Sequence, residues 1–376
     1  MRSQFKSGLH LKSLLFDAAV SIATCSSGSF AATTGVDPSA SPYPHSPVVK
    51  SITWHWDTLR TAAPGSDLWP VTWATDDSLY VAWGDGGGFG GTDRDGRVAL
   101  GFGKVEGSAK EFTGKNLNGG KAAPHAASFP KQGKVGGILA LGNRLYAWLN
   151  LQNGKWPDAD QTLIWSDDKA ATWQKSAWVF PKGDGNLKPS TFLNVGKGGS
   201  NAPAELEGFV FFYGQKQGRE KETYLGRVPL DKLIDRGAYE FLSGFDGEKL
   251  AWSRDPARSH PVFTDIRPTG DLASVVYLQP LKRYLLTVFR KGPGELGIFD
   301  APRPWGPWTT VACYGHWGDM GAEGHGLTCS FPLKWISADG LTLWAIFSAY
   351  GPGAKEGINA HDRFNLVKAT LDLRLH

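Results

Sequence analysis

Two aspartates have the type and placement to do chemistry. Asp67 lies in Gly65-Ser-Asp-Leu-Trp69-Pro70, and Asp85 lies in Trp83-Gly-Asp-Gly-Gly-Gly-Phe89-Gly-Gly91. Asp85 ends the strand-like run Leu79–Trp83, and Asp67 precedes the run before it, Val71–Ala74. Carboxylates at the ends of neighbouring hairpin strands can face one cleft. Cleavage of a glycosidic bond uses such a pair, one as acid and the other as base or nucleophile. The alternative is that both aspartates cap turns. Five of residues 86–91 are glycine, which allows unusual backbone angles and close approach of a ligand to the chain. No Gly-Lys-Ser/Thr and no helical segment follow, so this is not a phosphate loop. Trp69 and Phe89 would wall the cleft with flat apolar rings suited to a sugar face.

Other groups are candidates for binding. His125 and Lys134 flank the loop that begins at Gly119, and either could contact an acidic sugar; His125 could also serve as a base. Arg97 and Arg227 fall in strand-like runs, where an arginine pairs with a carboxylate or lines a polar funnel. The segment Cys313 to Cys329 is a polar, glycine-rich loop with His316, Asp319, Glu323 and His325, and His316 is a substrate-binding candidate. A disulfide between the two cysteines would staple it. Neither Cys-x-x-Cys nor His-x-x-x-His occurs there, so no metal or other cofactor is expected. Asp93-Arg94-Asp95-Gly96 lacks the rest of a calcium loop and reads as a turn. No Gly-x-Ser-x-Gly elbow supports a serine hydrolase.

These residues need a β scaffold. Among 376 residues there are 16 Trp, 20 Phe and 10 Tyr, with 48 Gly and 23 Pro, and short apolar runs recur between turn signals. About twenty strands can be traced, with a hairpin expected at Gly142-Asn143. Ser166-Asp-Asp168-Lys-Ala170-Ala-Thr172-Trp173 fits a degenerate Asp-box, with Ala170 in place of glycine; Ser337–Trp344 is a weaker copy. In such a box the aspartate satisfies turn amides and the tryptophan packs beneath. About twenty strands in groups of four predict an all-β fold, a propeller of five four-stranded blades in one domain, residues 50–376. Residues 1–31 read as a signal peptide, with Arg2, Lys6 and Lys12 before an apolar stretch, and 32–49 as a flexible linker. The net charge of +4 carries no basic block, and no apolar run is long enough to span a membrane. Nucleic acid is therefore not an expected partner. A secreted or periplasmic monomer acting on a polysaccharide or oligosaccharide is.

Several motifs together resemble a known family. They are Asp67-Leu-Trp-Pro70, Trp83–Thr92, Gly96-Arg-Val98, Gly136-Gly-Ile138, Leu225–Pro229, Asp235–Phe241, Lys282–Leu285 and Ala301–Thr309. The chain resembles, over about residues 50 to 372, the secreted five-bladed propellers long classed as a domain of unknown function, whose characterised actinobacterial members are endo-D-arabinanases. The resemblance implies that Asp67 and Asp85 are the acid/base pair. It also implies a third carboxylate, for which Glu323 is favoured over Asp265. The Trp-Gly-Asp-Gly-Gly-Gly run departs from the Gly-Asp-Thr form of the arabinanases, so the sugar need not be arabinan. Two other readings stay open. A uronate lyase would use His125, Lys134, His55 and Tyr224, and a binding propeller would cleave nothing.

Overall fold

The computed structural model describes residues 37, 39–126, 132–154, 158–247, 249–270, 273–319, 325–350 and 360–375. The region read as a signal peptide, with Cys25, lies outside the described residues. The expected all-β class holds: among the described residues there are strands and short 3-10 turns.

The first strand, β1 (Val49–Ala62), is set aside by the fold until the end. Then β2 (Asp67–Trp73), β3 (Leu79–Gly84), β4 (Leu100–Gly107) and β5 (Phe112–Asn118) form an antiparallel meander. A second meander is β6 (Lys134–Leu141), β7 (Arg144–Asn150), β8 (Gln161–Ser166) and β9 (Gln174–Lys175). The third holds β10 (Leu187–Asn194), β11 (Phe209–Lys216), β12 (Glu222–Pro229), β13 (Glu240–Asp246) and β14 (Lys249–Ser253), with β15 (Pro261–Thr264) also paired to β12. Next come β16 (Ser274–Leu278), β17 (Arg283–Phe289), β18 (Leu296–Ala301) and β19 (Thr309–Tyr314). The last sheet has the order β1-β22-β21-β20, from β20 (His325–Ser330), β21 (Thr342–Tyr350) and β22 (Phe364–Leu373). Both ends of the fold thus share one sheet, with Ile52 opposite Leu371 and Trp54 opposite Ala369. First strands adjoin first strands: β2 lies beside β6, β6 beside β10, β10 beside β16, β16 beside β20, and β20 beside β2. This ring of packed meanders is a β-propeller arrangement.

Alternation explains why each sheet is buried on both faces. In β3, Leu79, Val81 and Trp83 join a cluster with Ile346 and Leu366 of the last sheet. Tyr80 and Ala82 point the other way, to Val135 and Ile138 of the second. A strand sandwiched in this way reads as a continuous apolar run, and each fully buried large side chain contributes about 1.5–3 kcal/mol. The expected hairpin is present, with Leu141 opposite Arg144 and Gly142 at φ 57°. At Ser166–Trp173, Asp168 accepts from the Thr172 amide (2.8 Å) and from the Ser166 hydroxyl (2.9 Å), and Trp173 is buried. Within the stretch read as a linker, the Tyr43 ring packs on Phe263 and Phe299, and Ser46 donates to Asp300 at 2.9 Å.

Candidate active site

Register brings the two aspartates together. Asp67 opens β2 and pairs with Gly84, the last residue of β3, and Asp85 follows directly. A Cβ on Gly84 would lie 2.5 Å from Asp67 Oδ1 and 2.8 Å from the Lys134 side chain. Only glycine leaves room there for both groups. Lys134 opens β6, the next inner strand, and its Nζ stands 2.8 Å from Asp85 Oδ1 and 3.0 Å from the Ala99 carbonyl. Arg97 reaches Asp85 at 3.5 Å and also pairs with Asp93. The Asp85 side chain is 40% exposed, that of Lys134 only 11%.

The backbone here is held in unusual conformations. Leu68 (φ 73°), Trp69 (φ 63°) and Asp85 (φ 54°) are all left-handed, and a register shift interrupts the β2–β3 ladder between Leu68 and Val71. Such residues cost about 1–3 kcal/mol each and persist where surroundings enforce them. The last sheet does so: the Leu68 amide donates to Ser348 Oγ at 2.9 Å, and the Thr328 hydroxyl donates to the Leu68 carbonyl.

Asp67 is the unusual group. Its Oδ1 is shut off from solvent and has no hydrogen-bond partner among the described residues. Burial pushes its carboxyl up to about 7; Lys134 pulls it down, Asp85 and Asp362 push it further up, and Arg97 pulls it down. Asp362 is the carboxylate that sequence reasoning missed. It lies between β21 and β22 at φ 41°; its amide donates to Ala349 O (2.9 Å), and its carbonyl accepts from Gly65 N (2.7 Å). Its own carboxyl is raised by burial, lowered by His361, and raised by Asp85 and Asp93. No motif marks it, because only closure of the ring sets it beside Asp67.

Several expectations need correction. Trp69 is fully buried, donates to Ser66 O, and packs on Trp83, Phe89 and Phe364, so it offers no wall to a ligand. Phe89 is half-buried in the same cluster with its ring over Gly114. The glycine loop admits its own chain rather than a ligand. A Cβ on Gly86 would meet Gly65 O at 2.1 Å, one on Gly87 would meet Asp95 O at 2.1 Å, and Asn116 Nδ2 ties Gly87, Phe89 and Lys121 carbonyls together. Arg227 follows the first of its two expected roles: it lies in a strand, β12, pairs with a carboxylate, Glu240 (2.8 Å), and lies against Phe209 and Trp252. The staple is absent: Cys313 and Cys329 are free thiols, Cys329 buried and Cys313 accepting from Arg290.

The remaining candidates are scattered. Glu323 lies outside the described residues. Asp265, its alternative, is locked to Arg290 with both side chains fully buried. His125 bonds Asn118 Oδ1 at 2.9 Å, and His316 is exposed with its backbone beside Gly294. Of the lyase set, His55 sits on edge strand β1 and bonds Thr370, and the Tyr224 hydroxyl donates to Glu222, so neither pairs with Lys134. Among the described residues no three His, Cys, Asp or Glu side chains converge as metal ligands. A shallow pocket lined by Thr72, Asn194 and Ser330 lies toward the far ends of β2, β10 and β20, and none of its lining residues is charged.

Residues 137–323 match the profile of a family described as a domain of unknown function, DUF4185. No curated protein matches the chain. Among solved structures, a Bacteroides ovatus protein assigned as a hydrolase is similar with a TM-score of 0.54 and 10% identity, over 82% of this chain and 87% of that one. An α-L-arabinofuranosidase from Podospora anserina, solved with cellotriose, aligns at 0.46 with 12% identity, over 83% and 92%. A GH43 enzyme from Xanthomonas citri aligns at 0.47 with 10% identity, over 89% and 90%. At these identities it is the fold that is shared, and the Bacteroides ovatus structure carries that likeness.

Proposed function

We propose that this chain is a secreted glycoside hydrolase that cleaves a polysaccharide, with an endo-arabinanase-like specificity, on a five-bladed propeller. One observation carries the reading: Asp67, half-buried with one enclosed oxygen that has no partner among the described residues and raised to about 7, stands beside the ion-paired Asp85. A carboxyl raised by burial next to an ion-paired carboxylate is a usual means of dividing acid and base roles. Protonated Asp67 gives its proton to the glycosidic oxygen as the C–O bond breaks. Asp85, held by Lys134 and Arg97, either takes a proton from the attacking water or attacks the sugar carbon itself. Lys134 and Arg97 serve to hold that carboxylate in place. The closed run β2, β6, β10, β16, β20 supports five blades, and the turn bonds of Asp168 over buried Trp173 support an Asp-box.

The test is to incubate the chain with plant, algal and mycobacterial polysaccharides and to follow reducing ends and the ultraviolet absorbance of unsaturated uronates together. New reducing ends without absorbance are expected. Absorbance rising in step would replace hydrolysis with a lyase.

A further inference from the structure

An aromatic pair stands at the edge of the aspartate cluster. His325 opens β20, Tyr350 ends β21, and the two are directly paired across the ladder. Their rings stack at 5.2 Å with an interplanar angle of 21°. The Tyr350 residue is 48% exposed, among the most open of the large apolar side chains, whereas most other rings on β21 and β22 are buried. Its position is tied to the acid site through the backbone. Ser348, two residues earlier, holds Leu68, and Ala349, one residue earlier, holds Asp362.

We propose that Tyr350, backed by His325, is a sugar-stacking subsite that holds a ring of the glycan chain next to the bond over Asp67 and Asp85. The inference rests on the hydrolase reading for its substrate class. The physical argument is its own. The imidazole stacks on the phenol ring, and the residue stays 48% exposed. An open aromatic face costs free energy in water unless it has an occupant, and the apolar C–H face of a furanose or pyranose fits it. The imidazole fixes the ring before binding, so little side-chain freedom is lost when the sugar arrives. The hydroxyl at the rim remains available to a sugar hydroxyl. The uncharged ring selects for the shape of a sugar face rather than for an acidic group.

The test uses the full chain and the variants Y350A, Y350F and H325A. Each is run in native gels cast with soluble arabinan, arabinoxylan, arabinogalactan or pectin, and KM and kcat are measured on whichever glycan is hydrolysed. We expect the parent chain to be retarded by at least one glycan, Y350F to behave as the parent, and Y350A to lose retardation. KM should rise about tenfold in Y350A with kcat nearly unchanged, and H325A should fall between. Tyr350 is exposed, and matched thermal unfolding of Y350A and the parent will show that folding is intact. Hydrolysis with unchanged retardation and KM in Y350A overturns the subsite and leaves the hydrolase reading standing. Retardation that depends on Tyr350 without any hydrolysis does the reverse. A parent chain retarded by none of the four glycans also overturns the subsite.

Discussion

Two charge clusters are built into the same fold and treated in opposite ways. At the turn between β17 and β18, Arg290 pairs with Asp265 (3.1 Å) and Arg267 grips Glu295 with two bonds (2.6 and 2.7 Å). Each carboxylate there meets a guanidinium, and three of the four residues are buried. At the mouth of β2 and β6, three carboxylates (Asp67, Asp85 and Asp362) share Lys134 and Arg97, and one carboxylate oxygen has no partner at all. A buried cluster with all of its bonds made rigidifies a fold. One left partly unmade costs stability and persists where chemistry uses it. Asp168, in the turn before Trp173, makes the same contrast on a smaller scale. Burial pushes Asp168 up, but bonds from Thr172 and Ser166 bring it below its ordinary value, whereas Asp67 gets no such bonds.

The largest effect should separate the clusters by activity. Asp85→Asn and Asp67→Asn should each cut kcat/KM by about 10²–10⁴-fold while the protein still unfolds cooperatively, as loss of a general acid or base does. Full turnover in either variant on the hydrolysed glycan would break the comparison at its first point. In the other cluster, Arg290→Met leaves Asp265 charged, buried and unpaired. It should cost about 3–5 kcal/mol in urea unfolding at neutral pH.

The local part of this arrangement could be read from sequence and the non-local part could not. Asp67 and Asp85 were visible because a hairpin places the start of one strand opposite the end of the next, which fixes Asp67 against Gly84. Lys134 was visible as a charge flanking a loop, though as a contact for an acidic sugar rather than as the partner of Asp85. Asp362 was not, because it meets Asp67 only when the chain's last sheet closes against its first. Trp69 and the glycine loop were misread for a related reason. An aromatic residue or a run of glycines shows that something packs closely, and whether the neighbour is a sugar or the chain's own backbone depends on contacts far away in sequence. The aromatic-rich composition did point to the all-β class, since strands buried on both faces need large apolar side chains on both.

A third prediction concerns stability. Asp67 has a folded-state value near 7 against about 3.8 for the ordinary carboxyl. The sign follows from linkage: a group raised on folding contributes stability below its unfolded value, and that contribution is lost as the pH rises through the folded value. Above pH 7 the native chain must hold a buried carboxylate. Asp67→Asn, which mimics the protonated form, should therefore match the parent below about pH 4 and gain on it between there and neutrality. It should be more stable by roughly 2–4 kcal/mol at pH 8, each displaced unit being ~1.4 kcal/mol. Chemical unfolding at pH 4 and pH 8 measures this. A constant difference at both would mean that Asp67 is not held protonated by the fold.

The smallest effect is the sharpest test of how the cluster is tuned. If Asp67 is the acid, activity falls on the alkaline side as it loses its proton, so the midpoint of that limb reports its surroundings. Asp362 holds the midpoint up and Lys134 holds it down. Asp362→Asn removes a negative charge without removing a bond to Asp67, so the limb should move to lower pH by a few tenths of a unit, with kcat on the plateau little changed. Lys134→Met should move the limb the opposite way and further, because the lysine acts on Asp67 more strongly than Asp362 does. It should also lower the plateau, because Asp85 loses a partner at 2.8 Å. Opposite displacements would assign the limb to Asp67. Two variants moving it in the same direction would assign it to some other group, and the division of acid and base between these two aspartates would have to be redrawn.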